Sequence, residues 1–372
     1  MTSRATHGRD GVLVVGQGPP ARGGIPSFIS MLLEDPALTE RIQLTALNTS
    51  RAPARPGAAT PANAWSTLRD LVRVFLGGRR VRIVHLHVAP APLLPLVRAS
   101  ALAVAGRISG AKVIVHAHSG RMHIAAASSR SYRAGLRSLV RIAHRIVVVS
   151  SDGAGALRRA GGHPITLPNA VDIGPSDPPS RPGSRIVIFV GTVCERKGLD
   201  DLRLALVSLR DAGEEAAMPA EVVIVGDGRQ EGPGAFDRIR AAYAASGLLD
   251  LVRFTGALPP AGVRSELTRA SVFCLPSHWE GSPISMLEAM AAGCAIIATR
   301  VGEIPSVLEE AGIVIEPHDP AALAGAIGGL MADPARKEAL GAHARQRVVK
   351  SFSLDTMRER LLEIYADLGY SR

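Results

Sequence analysis

Two glutamates, Glu280 and Glu288, stand in the segment "PSHWEGSPISMLEAMAAGCA" and are the carboxylates best placed to do chemistry. A strand ending at Leu275 delivers Glu280 into a Gly-Ser-Pro loop. Ser282 is then the expected N-cap and Pro283 the first helical residue. Gly293 stands just past the helix that carries Glu288. At about 3.6 residues per turn, Glu288 falls roughly one and a half turns inside that helix. The free N–H groups of such a helix start favour an anion. A carboxylate beside an anion makes chemical sense if it accepts hydrogen bonds from sugar hydroxyls. The segment "FVGTVCERKGLDDL" supplies the cations: a strand ends at Gly191, and Arg196 and Lys197 open the next helix. Cations there oppose the helix dipole unless an anion joins them. Arginine can clamp a diphosphate with two bonds, and lysine adds a point charge.

Two other patterns suggest chemistry and then fail. Near the start, Gly16, Gly18 and Ala21 complete a G-x-G-x-x-A pattern like that of dinucleotide-binding folds. Pro19 and Pro20 remove two N–H donors at the point where a phosphate would sit. No carboxylate follows the second strand, which ends around Leu47-Asn48-Thr49. Gly23 and Gly24 are the more useful pair, because Pro26 can begin a helix behind them and another molecule can approach their bare main chain. The histidine pairs His85/His87 and His116/His118 each lie on one strand face by their i, i+2 spacing. With no carboxylate or thiol cluster beside them, no metal is expected.

The elements that must position these residues alternate. Strands are expected at Gly11–Val15, Gln43–Leu47, Ile83–Leu86, Lys112–Val115 and Arg145–Val149. After a Pro- and Ser-rich linker, Asp172–Ser184, they resume at Ile186–Val190, Glu221–Val225, Val252–Thr255, Val272–Leu275 and Ala295–Ala298. Strand and helix alternation in both halves predicts an α/β chain with two doubly wound parallel sheets. The expected domains are 1–175 and 182–353. Ser50–Asn63 is expected to be a mobile loop, and a helix near Leu354–Leu368 closes the chain.

At 372 residues, with 47% hydrophobic and 20% charged, the chain can bury two cores. Three scattered cysteines, Cys194, Cys274 and Cys294, fit buried thiols rather than a disulfide framework. The 3% of aromatic residues argues against stacking platforms for nucleic acid. The first apolar run is shorter than the roughly seven residues of a signal-peptide core, and none reaches the roughly 18–20 of a membrane span. A cytosolic protein is expected. The net charge of +10 sits in the first half: residues 1–180 hold 22 Lys+Arg against 8 Asp+Glu, the remainder 21 against 25. Arg130, Arg133, Arg137, Arg141 and Arg145 step by three and four along one helix face, with Arg145 at its end. Arg69, Arg73, Arg79 and Arg80 adjoin Trp65, Leu68, Val72, Phe75 and Leu76. Arginines flanked by apolar side chains suit an anionic lipid surface.

Taken in order, these pieces closely resemble glycosyltransferase family 4. The resemblance runs through Gly23-Gly24, "HAHS" at 116–119, "VVVSSDGA" at 147–154, "LPNAVD" at 167–172 and "GTVCERKG" at 191–198. It continues in "VIVGDGR" at 223–229, "RFTGAL" at 253–258, and Glu280 and Glu288 followed by "EAMAAG". It implies the GT-B fold: two Rossmann-like domains facing across a cleft, the last helix crossing back to the first domain. By the same resemblance Glu288 binds the ribose of a nucleotide sugar, Arg196 and Lys197 hold its diphosphate, and Glu280 contacts the transferred sugar. The main chain of Gly281, Ser282, Pro283 and Ile284 completes the phosphate cradle. His118 faces the donor sugar, and Gly23 and Gly24 approach the diphosphate. Thr192, Glu303 and Ser306 depart from the pattern, where many members carry Arg, Gly and Glu.

The expectation is a retaining transferase that moves a hexose-type sugar from a UDP- or GDP-linked donor, without metal or other cofactor. The acceptor is expected to be a lipid-linked or polysaccharide glycan of the cell envelope, and the place the inner face of the cytoplasmic membrane. The alternatives are a sugar-nucleotide epimerase of the same fold and a non-catalytic scaffold.

Overall fold

The computed structural model describes residues 10–19, 21, 23–50, 60–174, 183–228 and 234–370. Pro20, residues 51–59 of the expected loop, 175–182 of the linker and Arg229 lie outside them. The chain divides into two units, Met1–Asn169 with Met357–Arg372, and Ala170–Thr356.

The first unit is built on β1 (Val12–Gly16), β2 (Leu44–Asn48), β3 (Ile83–Val88), β4 (Lys112–Ala117), β5 (Arg145–Val148) and β6 (Ile165–Thr166), in the order β2-β1-β3-β4-β5-β6. The second carries β7 (Ile186–Val190), β8 (Glu221–Val225), β9 (Val252–Gly256), β10 (Val272–Leu275), β11 (Ala295–Thr299) and β12 (Ile313–Ile315), in the order β12-β11-β10-β7-β8-β9. Every pairing is parallel. Central strands such as β1, buried at every residue, read as unbroken apolar runs because helices cover both faces.

The last helix, Leu354–Asp367, buries Met357, Leu361, Ile364 and Tyr365 at helical spacing. It joins the first unit through polar contacts as well. Arg358 Nε donates to the buried Asp35 carboxylate at 2.7 Å, and Arg41 pairs with Glu359 at 2.6 Å.

Three local expectations are corrected. Pro61–Asn63 is helical, because the Thr60 hydroxyl accepts the Asn63 N–H at 3.2 Å and Pro61 takes the first helical position. Arg145 does not end the arginine helix but opens β5, as the strand expectation had it: the helix Arg130–Ile142 stops at Ala143, whose ψ of 145° is extended. Gly24 is already helical in Gly24–Glu34. Gly23 takes φ 125° and ψ −176°, which only glycine adopts readily, and its carbonyl receives the Ser27 N–H at 3.1 Å.

The basic surface of the first unit is less uniform than its composition implies. On Arg130–Ile142, Arg130, Arg137 and Arg141 are exposed opposite the buried Tyr132, Leu136 and Leu139. Arg133 instead donates to the Ala126 carbonyl at 2.7 Å. On the helix Pro61–Gly78, Trp65 is 72% exposed, and Leu68, Val72 and Leu76 follow it on the same open face. Arg69 and Arg73 there flank Asp70, which is fully buried and bound by Arg98 at 2.7 Å. Removing one member of such a pair strands the other. Asp70→Ala is therefore expected to cost about 3 kcal/mol, read as a lower urea midpoint; an unchanged midpoint would show that the arginines find water instead.

All three cysteines are buried, and none is in a disulfide. Among the described residues no helix is long and apolar enough to cross a membrane.

Candidate functional site

In the second unit β7 lies between β10 and β8, so successive connections leave it in opposite directions. Open parallel sheets bind ligands at the carboxyl ends of strands around such a switch. The loops after β7 and β10 both carry the predicted residues.

After β7 the chain makes a 3-10 turn, Glu195–Lys197, before the helix Leu199–Ala212. Arg196 and Lys197 thus precede the helix rather than open it, a correction that traces to Gly198. Gly198 has φ 65°, and a Cβ on it would overlap the Pro276 carbonyl. The chain must turn left-handed there to pass the β10 loop. The Arg196 carbonyl accepts the His278 N–H at 2.8 Å, which ties the two loops together. The Arg196 guanidinium lies 5.9 Å from the Trp279 ring centre.

Lys197 and Glu280 are brought together. Both are buried, the ammonium pairs with Glu280 Oε1, and the Ser277 hydroxyl donates to the same oxygen at 2.7 Å. Sequence reasoning missed Ser277; its place three residues before Glu280 was the available signal.

The following helix runs Ile284–Ala291, with Gly293 left-handed just past it. Pro283, not Ser282, is its N-cap, with ψ 113°, and Ile284 is the first helical residue. The Gly281 carbonyl accepts the Glu303 N–H at 2.9 Å, which draws the loop out extended before the helix begins. No side chain caps the start, and the N–H groups of Ile284 and Ser285 remain available to an anion. Glu288 is half-buried, and its carboxylate has no hydrogen bond or ion pair among the described residues. Burial pushes its carboxyl above the ordinary carboxylate range, and Arg264 partly offsets this.

Two departures from the family pattern now have partners. Glu303 is buried, and the Ser306 hydroxyl donates to its carboxylate at 3.0 Å. A Cβ on Gly302 would overlap the Glu280 and Gly281 carbonyls, so this loop packs directly on the one bearing Glu280. Nothing in the structure explains Thr192.

In the first unit the Gly18 N–H is taken by Asn48 Oδ1 at 3.0 Å, so the opening motif has no donor there for a phosphate. Gly23 and Gly24 have open space where a Cβ would stand. His118 directly follows β4, and its Nε2 lies 3.0 Å from His87 Nδ1. The parallel register sets His87 opposite His116, and His85 Nδ1 meets the Tyr365 hydroxyl at 2.8 Å. Burial pushes His85 down to about 3, with a smaller contribution from His118. His87 and His116 are lowered well below the ordinary value for the same first reason. His118 is lowered by desolvation although part of it reaches the surface. One nitrogen from each of His85, His87 and His116 lies within 4.8 Å of the other two. Three neutral imidazoles without a carboxylate leave a divalent charge buried and uncompensated, which is costly.

Residues 5–170 match the model of the "Glycosyl transferase 4-like domain", and residues 184–333 that of "Glycosyl transferases group 1". Together the two matches take in most of the sequence. The chain belongs to glycosyltransferase family 4. Among curated relatives, the D-inositol 3-phosphate glycosyltransferase of Corynebacterium jeikeium is 29% identical over 187 residues, 50% of this chain and 44% of that protein. The 2-deoxystreptamine N-acetyl-D-glucosaminyltransferase of Streptomyces fradiae is 33% identical over 224 residues, 59% and 49% of the two chains. The family-4 chain thus matches less than half the length of either relative. The crystal structure of Anabaena HepE in complex with UDP-glucose has a TM-score of 0.73 at 15% identity, covering 96% of this chain and all of that one. That likeness is one of fold, and the fold is GT-B.

Proposed function

We propose that this family-4 protein is a retaining glycosyltransferase that moves a hexose-type sugar from a UDP- or GDP-linked donor to a lipid-linked or polysaccharide acceptor. The observation that carries the reading is Glu288: a carboxylate held half-buried and unpaired, one helix turn beyond an uncapped helix start, on the loop–helix unit that also holds the Lys197–Glu280 pair. Such a group needs donors, and ribose hydroxyls supply two.

The remaining roles follow from charge. Breaking the anomeric bond leaves negative charge on the diphosphate, which Arg196 and the N–H groups around Gly281–Ile284 stabilise without reorganising. Lys197 pairs with Glu280 and holds it in place, and Glu280 accepts hydrogen bonds from the transferred sugar. Gly23 and Gly24 let the diphosphate approach a second helix start, and His118 hydrogen-bonds the sugar. No metal is assigned to this chemistry.

Calorimetric titration with UDP and GDP, in the absence of metal, tests the reading. Binding of one nucleotide over the other is expected. If neither binds at millimolar concentration, the site is disabled and the protein is a scaffold. Release of an altered sugar nucleotide with no acceptor present would make it an epimerase.

The acceptor side rests on the exposed Trp65, Leu68, Val72 and Leu76 beside Arg69, Arg73, Arg79 and Arg80, and on the row Arg130, Arg137 and Arg141. An apolar face bordered by arginines fits an anionic bilayer. The protein is expected to float with vesicles containing anionic lipid and not with neutral ones, and Trp65→Ser with Leu68→Ser to abolish flotation. Equal behaviour on both vesicle types would remove the membrane from the reading.

A further inference from the structure

The chemistry above uses one histidine of four. The others are buried with ring nitrogens left over: Nε2 of His85, Nε2 of His87 and both nitrogens of His116 have no hydrogen-bond partner. The Leu167 carbonyl faces His116 and favours its protonated form, but falls short of hydrogen-bond geometry. The rings pack closely, with centres 4.2 Å apart for His85 and His87 and 4.2 Å for His116 and His118. Phe28 closes the cluster 5.1 Å from His118.

The 3.0 Å contact between His118 Nε2 and His87 Nδ1 holds one proton, and only two arrangements are open to neutral rings. If His118 donates, His87 carries its own proton on Nε2, and a buried N–H is left without an acceptor. If His87 donates, its Nε2 is a bare lone pair. Orphaned buried N–H groups are the rarer and costlier of the two. A bare Nε2 also turns a lone pair, not a proton, toward the neighbouring imidazoles.

We propose that His87 is a positioning residue that fixes His118 as a neutral imidazole protonated on Nδ1, so that His118 offers its ligand a hydrogen-bond donor and not a base. Nδ1 of His118 has no protein partner among the described residues, so that donor is available. The ligand atom it meets is an acceptor oxygen, such as a sugar hydroxyl or a phosphoryl oxygen. His85, held by the Tyr365 hydroxyl at 2.8 Å, backs the His87 ring and keeps it in register.

The full-length protein labelled with 15N at histidine decides this by long-range 1H–15N correlation at pH 7.5, with His118→Gln assigning the His118 signals. The expected wild-type pattern is a neutral ring protonated on Nδ1. An Nε2-protonated His118 overturns the proposal outright, with no variant needed. His87→Asn keeps a donor in place and is expected to preserve the pattern. His87→Phe keeps the volume, loses the donor and is expected to shift His118 toward the Nε2–H form, with kcat down about tenfold and donor KM little changed. A folded His87→Phe protein with an unchanged His118 tautomer also overturns it. Only the kinetic part rests on the sugar-transfer reading: absence of turnover in every form would sink that reading and leave the tautomer result standing.

Discussion

Glu288→Gln is expected to weaken nucleotide binding by about 10- to 100-fold and, at the same time, to raise the melting temperature. The two effects share one cause. The carboxyl is raised above its ordinary value by desolvation, so the folded chain holds its proton more tightly than the unfolded chain does. Stability from this group is fully present below the unfolded-state pKa and is lost as pH rises through the folded-state value. Above that value the ionised carboxylate is a strain on the fold, which a neutral amide relieves. Binding runs the other way, because hydrogen bonds from two hydroxyls favour the charged form. Affinity is full above the raised pKa and declines as pH falls through it. Loss of two charge-assisted hydrogen bonds accounts for the expected drop in affinity. Calorimetry and thermal unfolding on the same samples check both halves. A variant that binds nucleotide normally, or one that melts lower, would show that Glu288 is not an idle carboxylate waiting for ligand.

The second large effect concerns Lys197. Lys197→Met leaves Glu280 buried with only the Ser277 hydroxyl for company. A stranded buried charge costs about 3 kcal/mol, and kcat/KM is expected to fall by about 10²- to 10³-fold as the site loses its fixed charges. Adding Glu280→Met to the same protein is expected to restore most of the stability and none of the activity, since well-packed apolar pairs often replace buried ion pairs without loss. Denaturant unfolding of the two single variants and the double variant gives the coupling directly. Additive stability losses would mean that the two groups do not act as a buried unit.

Much of the fold was legible because its strands are buried on both sides. Ile186–Val190, Glu221–Val225 and Val272–Leu275 stand where their β-branched runs predict. β6 and β12 escaped because two and three residues are too few to show a period. The first helical residue of the donor loop was misread by one place. Proline suits an N-cap and a first turn alike, and the choice is made by the Glu303 N–H, far along the chain. The same distance hid the bond from Arg98 to Asp70. The i, i+2 histidine pairs were visible on each strand. That His87 reaches His118 depends on the register between β3 and β4, which no local pattern encodes.

The position of Tyr365 has a consequence for how the molecule is made. Its hydroxyl meets His85 inside the first unit, yet it is translated only after the whole of the second unit. At about 5–20 residues per second, synthesis takes roughly 10–40 s to pass from Asn169 to Tyr365. Throughout that interval the sheet face bearing the histidines lacks its final covering helix. The first unit therefore completes its core only after the second has been synthesised, and a fragment ending at Asn169 would remain permanently in that unfinished state.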